Sequence, residues 1–349
     1  MKLALEPIRV RLRDTFEAAH GAVSERELLL VTLEAADGLT GYGEAAPLTS
    51  YDGIPLRDVR MALEACSDIL AGADRAPPPQ VIARCAEVVL LPQALAALDM
   101  ALWDLAGRRV GMPAWQLLGD AVSAPEPVRV NWTLTAADRS GAVEEAARAR
   151  AAGFDTLKAK VAIGDDHGRL AAIRAFAGPD MAIRIDANGA WTLAEASASL
   201  RALEPIGIEF CEEPVASLTE LRALASETDI PLALDESAAD PAALSKRACA
   251  LMCLKISRCG GLTGLLETAR RARAAGYEVF VASTLDGPLG IAAALHAAAV
   301  LRPTRACGLA TLPMYAGRED PLPAVAGRIA VPGGRGLGDG LLDWYRAEG

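Results

Sequence analysis

Ala182-Ile183-Arg184-Ile185-Asp186-Ala187-Asn188, then an Ala-rich stretch, then Ile208-Glu209-Phe210-Cys211-Glu212-Glu213-Pro214, reads as one strand, helix, strand unit. Each outer segment is a short β-like run that stops at a carboxylate, and the residues between them suit a helical crossover of the kind that joins parallel strands. Working outward, the unit recurs. β-like runs stand at Val128–Asn131, Thr156–Lys158, Ala182–Ile185, Ile208–Phe210, Pro231–Leu234, Leu251–Leu254, Val279–Val281 and, more weakly, Ala306–Leu309. Eight strands at steps of roughly 20 to 30 residues predict a closed barrel rather than an open sheet.

The first 120 residues follow a different pattern. Glu27 to Glu34 is β-rich and leads through Ala36-Asp37-Gly38 into Gly41-Tyr42-Gly43-Glu44, which predicts an antiparallel hairpin. Helical patterns follow from about Pro55 to Ala71 and from Pro92 to Arg108, the second with Leu95, Leu98, Leu102 and Leu105 at helical spacing. Pro77-Pro78-Pro79 reads as a loop and Pro125-Glu126-Pro127 as an interdomain linker. The expected class is therefore α/β, a (β/α)7β-type TIM barrel with an α+β capping domain built from the N-terminal region and the C-terminal tail. Residues 1–120 form the cap, 126–315 the barrel, and 316–349, with alternation from Gly327 to Val331, a segment expected to lie on the cap.

Composition narrows the function classes. With 52% hydrophobic and 23% charged residues, 349 residues bury a large core. A net charge of -10 argues against a nucleic-acid surface, which needs clustered cations. No apolar run approaches the ~20 residues of a membrane span, so a cytoplasmic protein with no membrane partner is expected. Seven cysteines without a CxxC pair suggest buried small apolar residues, neither disulfides nor zinc. Three scattered histidines leave oxygen as the donor for any metal.

The chemistry sits where a barrel concentrates it, at the C-terminal strand ends. Five consecutive strands end in charge: Lys158-Ala159-Lys160, Asp186, Glu212, Asp235 and Lys255, with steps of 26, 26, 23 and 20 residues from Lys160 onward. Any one of these alone is more simply a solvated loop residue; the ordered set at barrel spacing is not. Three converging carboxylates repel unless a cation joins them, and an all-oxygen set suits Mg²⁺, or Mn²⁺ in its place. Lysines on strands two and six would flank a substrate, and a nearby metal and second ammonium would lower a lysine pKa toward that of a useful base. Glu213 and Glu236, next to the expected ligands, are read as supporting them.

Gly41-Tyr42-Gly43-Glu44-Ala45, Ala101-Leu102-Trp103-Asp104-Leu105-Ala106-Gly107 and the lysine and carboxylate series resemble the enolase superfamily, in the subgroup of muconate-lactonizing enzyme, dipeptide epimerases and o-succinylbenzoate synthase. The resemblance spans nearly the whole chain. It implies Asp186, Glu212 and Asp235 as metal ligands, Lys160 and Lys255 as catalytic lysines, and Lys158 as the residue that tunes its neighbour. The implied reaction begins by removing a proton α to a carboxylate, giving an enediolate.

Ala306-Cys307-Gly308-Leu309-Ala310-Thr311 on the eighth strand lacks the Asp-x-Asp usual in dipeptide epimerases and the Glu of muconate-lactonizing enzymes. It is similar to the Cys-Gly-Leu-Gly-Thr of o-succinylbenzoate synthases, as are Val130-Asn131 and Ser283-Thr284-Leu285-Asp286. Trp132 and the Asp286-to-Gly290 loop resemble cycloisomerases as much. The resemblance thus implies dehydration of the menaquinone-pathway cyclohexadiene dicarboxylate to 2-succinylbenzoate. N-acylamino acid racemase, dipeptide epimerase and muconate-type cycloisomerase are the alternatives, and a non-catalytic binding protein is least favoured. A small carboxylate substrate is the expected partner, and a homo-oligomer is left open. Substrate-contact candidates are Asn188, Ser283, Asp286, Tyr51 beside Thr49 and Ser50, and His20 in the Asp14–Ser24 lid segment. Loop capping or solvation is the competing reading for Asn188 and His20, while His296 and Trp191 are read as structural.

Overall fold

The computed structural model describes residues 1–18, 21–119 and 124–347. The chain opens with an antiparallel sheet in which β1 (Lys2–Ala18) pairs with β2 (Gly21–Glu34), and β2 with β3 (Thr40–Ala45). Strand side chains alternate between faces, and on β2 both faces are buried. Leu29, Val31 and Leu33 pack on the cap helices, while Leu28 and Leu30 join the cluster that runs into the barrel. β1 carries Glu6, Arg9, Arg11 and Arg13 on or near its outer side, so its sequence does not advertise a strand. The expected hairpin is present, as β2 and β3.

Gly41 and Gly43 have a specific steric reason. A Cβ on Gly43 would lie 2.2 Å from the Ala97 carbonyl oxygen, and one on Gly41 2.2 Å from that of Ala101, both on the Pro92–Val110 helix. The Pro77-Pro78-Pro79 loop reading needs correcting: Pro78–Ala86 is a helix with proline in its first turn. There the missing N–H has no intrahelical partner to lose.

β4 (Val128–Arg129) precedes the barrel proper. Seven parallel strands follow in sequence order: β5 (Trp132–Leu134), β6 (Thr156–Lys160), β7 (Ala182–Asp186), β8 (Cys211–Glu212), β9 (Leu232–Leu234), β10 (Leu251–Lys255) and β11 (Glu278–Ala282). The segment at Cys307-Gly308 closes the ring, with Cys307 bridged to Val130 and Gly308 to Ala282, both parallel. The fourth strand sits at Cys211–Glu212, later than the Ile208–Phe210 run expected, although the Glu209 N–H still reaches the Ile183 carbonyl. Helices fill the connections; the one at Leu193–Leu203 begins with a Thr192/Glu195 capping box.

Inside the barrel, Phe210, Phe280, Leu251 and Cys253 form an apolar cluster, over which the buried Arg184 guanidinium stacks 4.6 Å from the Phe210 ring centroid. That cluster fills the barrel's interior below the strand ends where the charges gather. Farther on, β12 (Ala324–Val325) and β13 (Arg328–Ile329) form a hairpin that pairs with β4, so this part of the tail lies on the barrel. The remainder crosses to the cap, where the Leu337 N–H donates to Asp104 and the Tyr345 hydroxyl to Glu44. His296 is buried between the Trp115 N–H and the Leu337 carbonyl, and burial holds its pKa down at about 4, so it is a neutral structural residue. Among the described residues no helix is long and apolar enough to cross a membrane.

Candidate active site

The two-residue period of β6 points Lys158 and Lys160 the same way, and β7, β8, β9 and β10 each deliver one charged side chain beside them. The Lys158 ammonium bridges Asp186 Oδ2 and Glu212 Oε2, each at 2.8 Å. Lys160 Nζ donates to Asp186 Oδ2 at 2.7 Å and to Asn188 Oδ1 at 2.6 Å. Lys255 Nζ donates to Asp235 Oδ2 at 2.7 Å and to the Tyr51 hydroxyl at 2.8 Å, with the Tyr51 ring centroid 4.2 Å away. The Tyr51 hydroxyl in turn donates to Asp235 Oδ1 at 2.8 Å.

These contacts set the protonation states. Burial raises Asp186, but the ammonium groups of Lys158 and Lys160 outweigh it and hold the carboxyl well below its usual range. Burial, reinforced by the charges of Asp186 and Asp235, pushes Glu212 up to about 7. Burial lowers Lys158 and Lys255, but their carboxylate partners more than reverse it, so both amines are raised. The lowering expected from sequence depends on a metal's charge beside the amines. The carboxylates alone favour the charged amine, and only a divalent cation's charge on those carboxylates would reverse the balance.

The donor set fits such a cation. Asp186, Glu212 and Asp235 offer hard oxygens on successive strands, and Glu212 Oε1 is buried with no hydrogen-bond partner. The carboxylates of Glu212 and Asp235 approach each other closely enough to share an ion, with the Cys253 sulfur also near. All-oxygen coordination favours Mg²⁺ over metals that seek the thiol.

A cavity of about 100 Å³ lies over this cluster, lined by Lys158, Lys160, Lys255, Asp186 and Asn188 from the barrel, and by Phe16, Val23, Leu48, Ser50 and Tyr51 from the cap. Ser283 lines it too, its hydroxyl 3.0 Å from that of Thr311. Asn188, at φ +46°, links Lys160 to Glu236, donating to the latter's carboxylate at 3.0 Å. Glu213 turns away from the cavity: its carboxylate accepts from the Asp235 N–H at 2.7 Å and from Ser237, ordering the loop after β9.

Asp286 departs from its expected place as a substrate contact. It is buried outside the cavity lining and accepts from the Thr284 N–H and hydroxyl, because the backbone turns over at Leu285. Trp132 packs edge-on against Phe154 rather than lining the cavity. His20 lies outside the described residues. The Asp14–Ser24 segment is otherwise strand up to Ala18 and from Gly21, with Phe16 5.8 Å from the Lys160 ammonium. Sequence reasoning missed Phe16, Thr133, Met314 and Arg258. The Arg258 guanidinium donates to the Tyr51 hydroxyl at 3.0 Å and to the Glu236 carbonyl at 3.1 Å. An aromatic inside a polar lid was a usable signal for Phe16; nothing local marks Arg258.

The family model described as "Enolase C-terminal domain-like" matches residues 141–342, and that of the "Mandelate racemase / muconate lactonizing enzyme, N-terminal domain" matches residues 3–119. A hydrophobic dipeptide epimerase of Enterococcus faecalis is 32% identical over 88% of this chain and 91% of its own. An N-succinyl-L-Arg/Lys racemase of Bacillus cereus is 28% identical over 84% of this chain and 82% of its own. An o-succinylbenzoate synthase of Mycobacterium tuberculosis is 38% identical, but over 60% of this chain and 68% of its own. Among solved structures, a dipeptide epimerase from Enterococcus faecalis complexed with Mg and the dipeptide L-Leu-L-Tyr superposes with a TM-score of 0.87 at 27% identity, covering 97% of this chain and 98% of that one.

Proposed function

The chain belongs to the mandelate racemase / muconate lactonizing enzyme family of the enolase superfamily, and is an enzyme of that superfamily; from that premise we propose that it racemises N-acylated α-amino acids that carry no free ammonium. The observation that carries this reading is the placing of Lys160 and Lys255. They stand on the second and sixth barrel strands, across the barrel from one another, and line one cavity. Inverting an α-carbon needs a base on each face, whereas a one-base dehydration needs only one. The relatives that match most of the chain, a dipeptide epimerase and an N-succinylamino acid racemase, support the same reading. They reverse the order expected from the eighth strand, which put dehydration first.

In this reading Lys160 removes the α-proton from one enantiomer while Lys255 returns one to the opposite face, and the roles exchange for the other enantiomer. Asn188 and Asp186 aim the Lys160 amine; Tyr51 and Asp235 aim that of Lys255. Asp186, Glu212 and Asp235 would hold the divalent cation, Mg²⁺ or in its place Mn²⁺, which when bound supplies Lewis-acid stabilisation of the charge developing on the substrate carboxylate. Lys158 supplies further positive charge between Asp186 and Glu212.

The lining also selects the acyl group. Among the described residues that line the cavity, Asp186 is the sole carboxylate, and two ammonium groups already hold it. A free substrate ammonium therefore finds no partner, and burying an unpaired charge is costly. A neutral amide does better: Thr133, Ser283 and Thr311 offer hydroxyls, and Phe16, Val23, Leu48 and Met314 an apolar wall. A second reading, o-succinylbenzoate synthesis with Lys160 as the single base and Lys255 as a stabilising charge, is favoured by the 38% identity to the mycobacterial synthase and by Cys307-Gly308-Leu309.

The test is a panel with Mg²⁺: N-succinyl and N-acetyl amino acids, dipeptides, the menaquinone-pathway dehydration substrate and cis,cis-muconate. The proposal expects N-acylamino acid racemisation with kcat/KM on the order of 10⁴ M⁻¹s⁻¹ or above. Dehydration, dipeptide epimerisation or cycloisomerisation faster by about tenfold, roughly 1.4 kcal/mol of transition-state preference, would overturn it.

A further inference from the structure

Arg26, on β2, is 3% exposed, and no carboxylate among the described residues lies within salt-bridge distance of its guanidinium. Its N–H groups go instead to four backbone carbonyls of two different segments. Nη1 donates to Pro47 O at 2.8 Å and Nη2 to Ala46 O at 2.9 Å. From the same plane, Nη2 donates to Thr284 O and Nε to Leu285 O, each at 3.2 Å. The first pair of acceptors opens the cap segment that carries Leu48, Ser50 and Tyr51, and the second pair lies in the barrel loop after β11; both segments line the cavity.

The barrel half of this clamp is strained. Leu285 is a buried, branched residue at φ +57°, a region that such residues rarely occupy unless their surroundings impose it. Its carbonyl accepts from Arg26 and also from the Tyr315 hydroxyl at 2.5 Å. The Asp286 carboxylate pins the preceding residue through the Thr284 N–H and hydroxyl. A planar guanidinium with five N–H groups meets four fixed carbonyls; a single ammonium, with three, does not.

We infer that Arg26 is a positioning residue for the reaction: it fixes the cap segment Ala46–Tyr51 against the barrel loop Thr284–Leu285, and so sets the cavity walls and brings Tyr51 to Lys255. Arg26 touches none of the catalytic side chains and acts through the walls alone. The inference rests on the cavity being the active site, not on which substrate occupies it.

The test compares the full-length Mg²⁺-loaded protein with Arg26→Met, Arg26→Lys and Asp99→Asn. The last weakens a different cap-to-barrel tie, in which Asp99 accepts from the Thr263 N–H and hydroxyl, by removing one of the two acceptor oxygens. Amide hydrogen exchange is read without substrate at Tyr51, Asp52, Gly53 and Gly287, whose N–H groups are bonded in the clamped state. Arg26→Met should exchange there at least tenfold faster, and Asp99→Asn should not. In steady-state kinetics on the best panel substrate, Arg26→Met should raise KM tenfold or more, with any fall in kcat no larger than the roughly tenfold fall that loss of the Tyr51 hydroxyl causes. Arg26→Lys, with fewer donors, should raise KM by a smaller factor, and it carries the comparison should Arg26→Met not fold. Unchanged exchange in both Arg26 variants would overturn the clamp. Faster exchange with wild-type KM, or an equal KM rise in Asp99→Asn, would overturn its role in positioning. Because exchange needs no turnover, a wild-type protein inactive on the panel would count against the proposed function while leaving the clamp decided.

Discussion

Replacing Glu44 by Gln should remove an alkaline loss of stability. Glu44 ends the Gly41-Tyr42-Gly43-Glu44 segment fully buried, accepting from the Gly287 N–H at 2.7 Å and from the Tyr345 hydroxyl. Burial first, and the nearby Asp286 charge second, push its carboxyl from 4.5 up to about 8. The folded protein thus keeps this proton to a higher pH than the unfolded chain does. Stability from this site is complete below about pH 4.5 and is lost as pH rises toward 8. At ~1.4 kcal/mol per pH unit the whole span is worth about 5 kcal/mol, of which about 3 is lost between pH 6 and 9. An unfolding entropy of ~2.1 cal/mol/K per residue makes that about 4 °C for a chain of this length. Gln keeps a hydrogen-bonding amide and does not titrate. Calorimetric melting of both proteins at pH 6 and pH 9 should show the wild type falling about 4 °C further than Glu44→Gln. Parallel shifts in the two proteins would refute the reasoning.

Gly43→Ala, whose Cβ would meet the Ala97 carbonyl oxygen at 2.2 Å, should lower stability by about 2 to 3 kcal/mol in urea unfolding; a wild-type midpoint would contradict the contact. Dialysis against EDTA should abolish turnover and Mg²⁺ should restore it, while Asp186→Ala, Glu212→Ala and Asp235→Ala should each lose Mg²⁺ binding by calorimetry. Full activity in EDTA would remove the metal from the account. Tyr51→Phe deletes hydroxyl bonds to both Lys255 and Asp235, so it should slow α-proton exchange about tenfold for the enantiomer that Lys255 serves and little for the other, as read by NMR in D₂O. Equal slowing of both would place Tyr51's effect elsewhere.

The barrel and its charged rim were legible because parallel strands are spaced by whole helical crossovers, so Lys160, Asp186, Glu212, Asp235 and Lys255 recur at a visible interval. The cap was legible where β-forming residues run together, in β2, and obscure in β1, whose charged residues mask a strand that pairs with β2 from Lys2 to Arg11 and again from Phe16 to Ala18. Pro78 and Pro79 misled because proline is punctuation in most contexts and a good opening for a helix in one. Asp286 misled for a related reason: a strand-end carboxylate points into the cavity only if the backbone continues outward, and here it turns over at Leu285. Arg26 and Arg258 carry no local pattern at all. Their partners stand 20 or more residues away in sequence, at Ala46, Pro47, Thr284 and Leu285 for Arg26 and at Tyr51 and Glu236 for Arg258, so only folding brings them together.

The central claim, that two opposed lysines exchange one α-proton, is tested most directly by isotope exchange. Lys160→Ala and Lys255→Ala would each be incubated in D₂O with Mg²⁺ and resolved enantiomers of one N-succinylamino acid, and loss of the α-proton signal followed by NMR. The account predicts that each variant loses exchange from one enantiomer, and that the two variants lose opposite ones. Undiminished exchange in both variants, or loss of the same enantiomer in both, would contradict it.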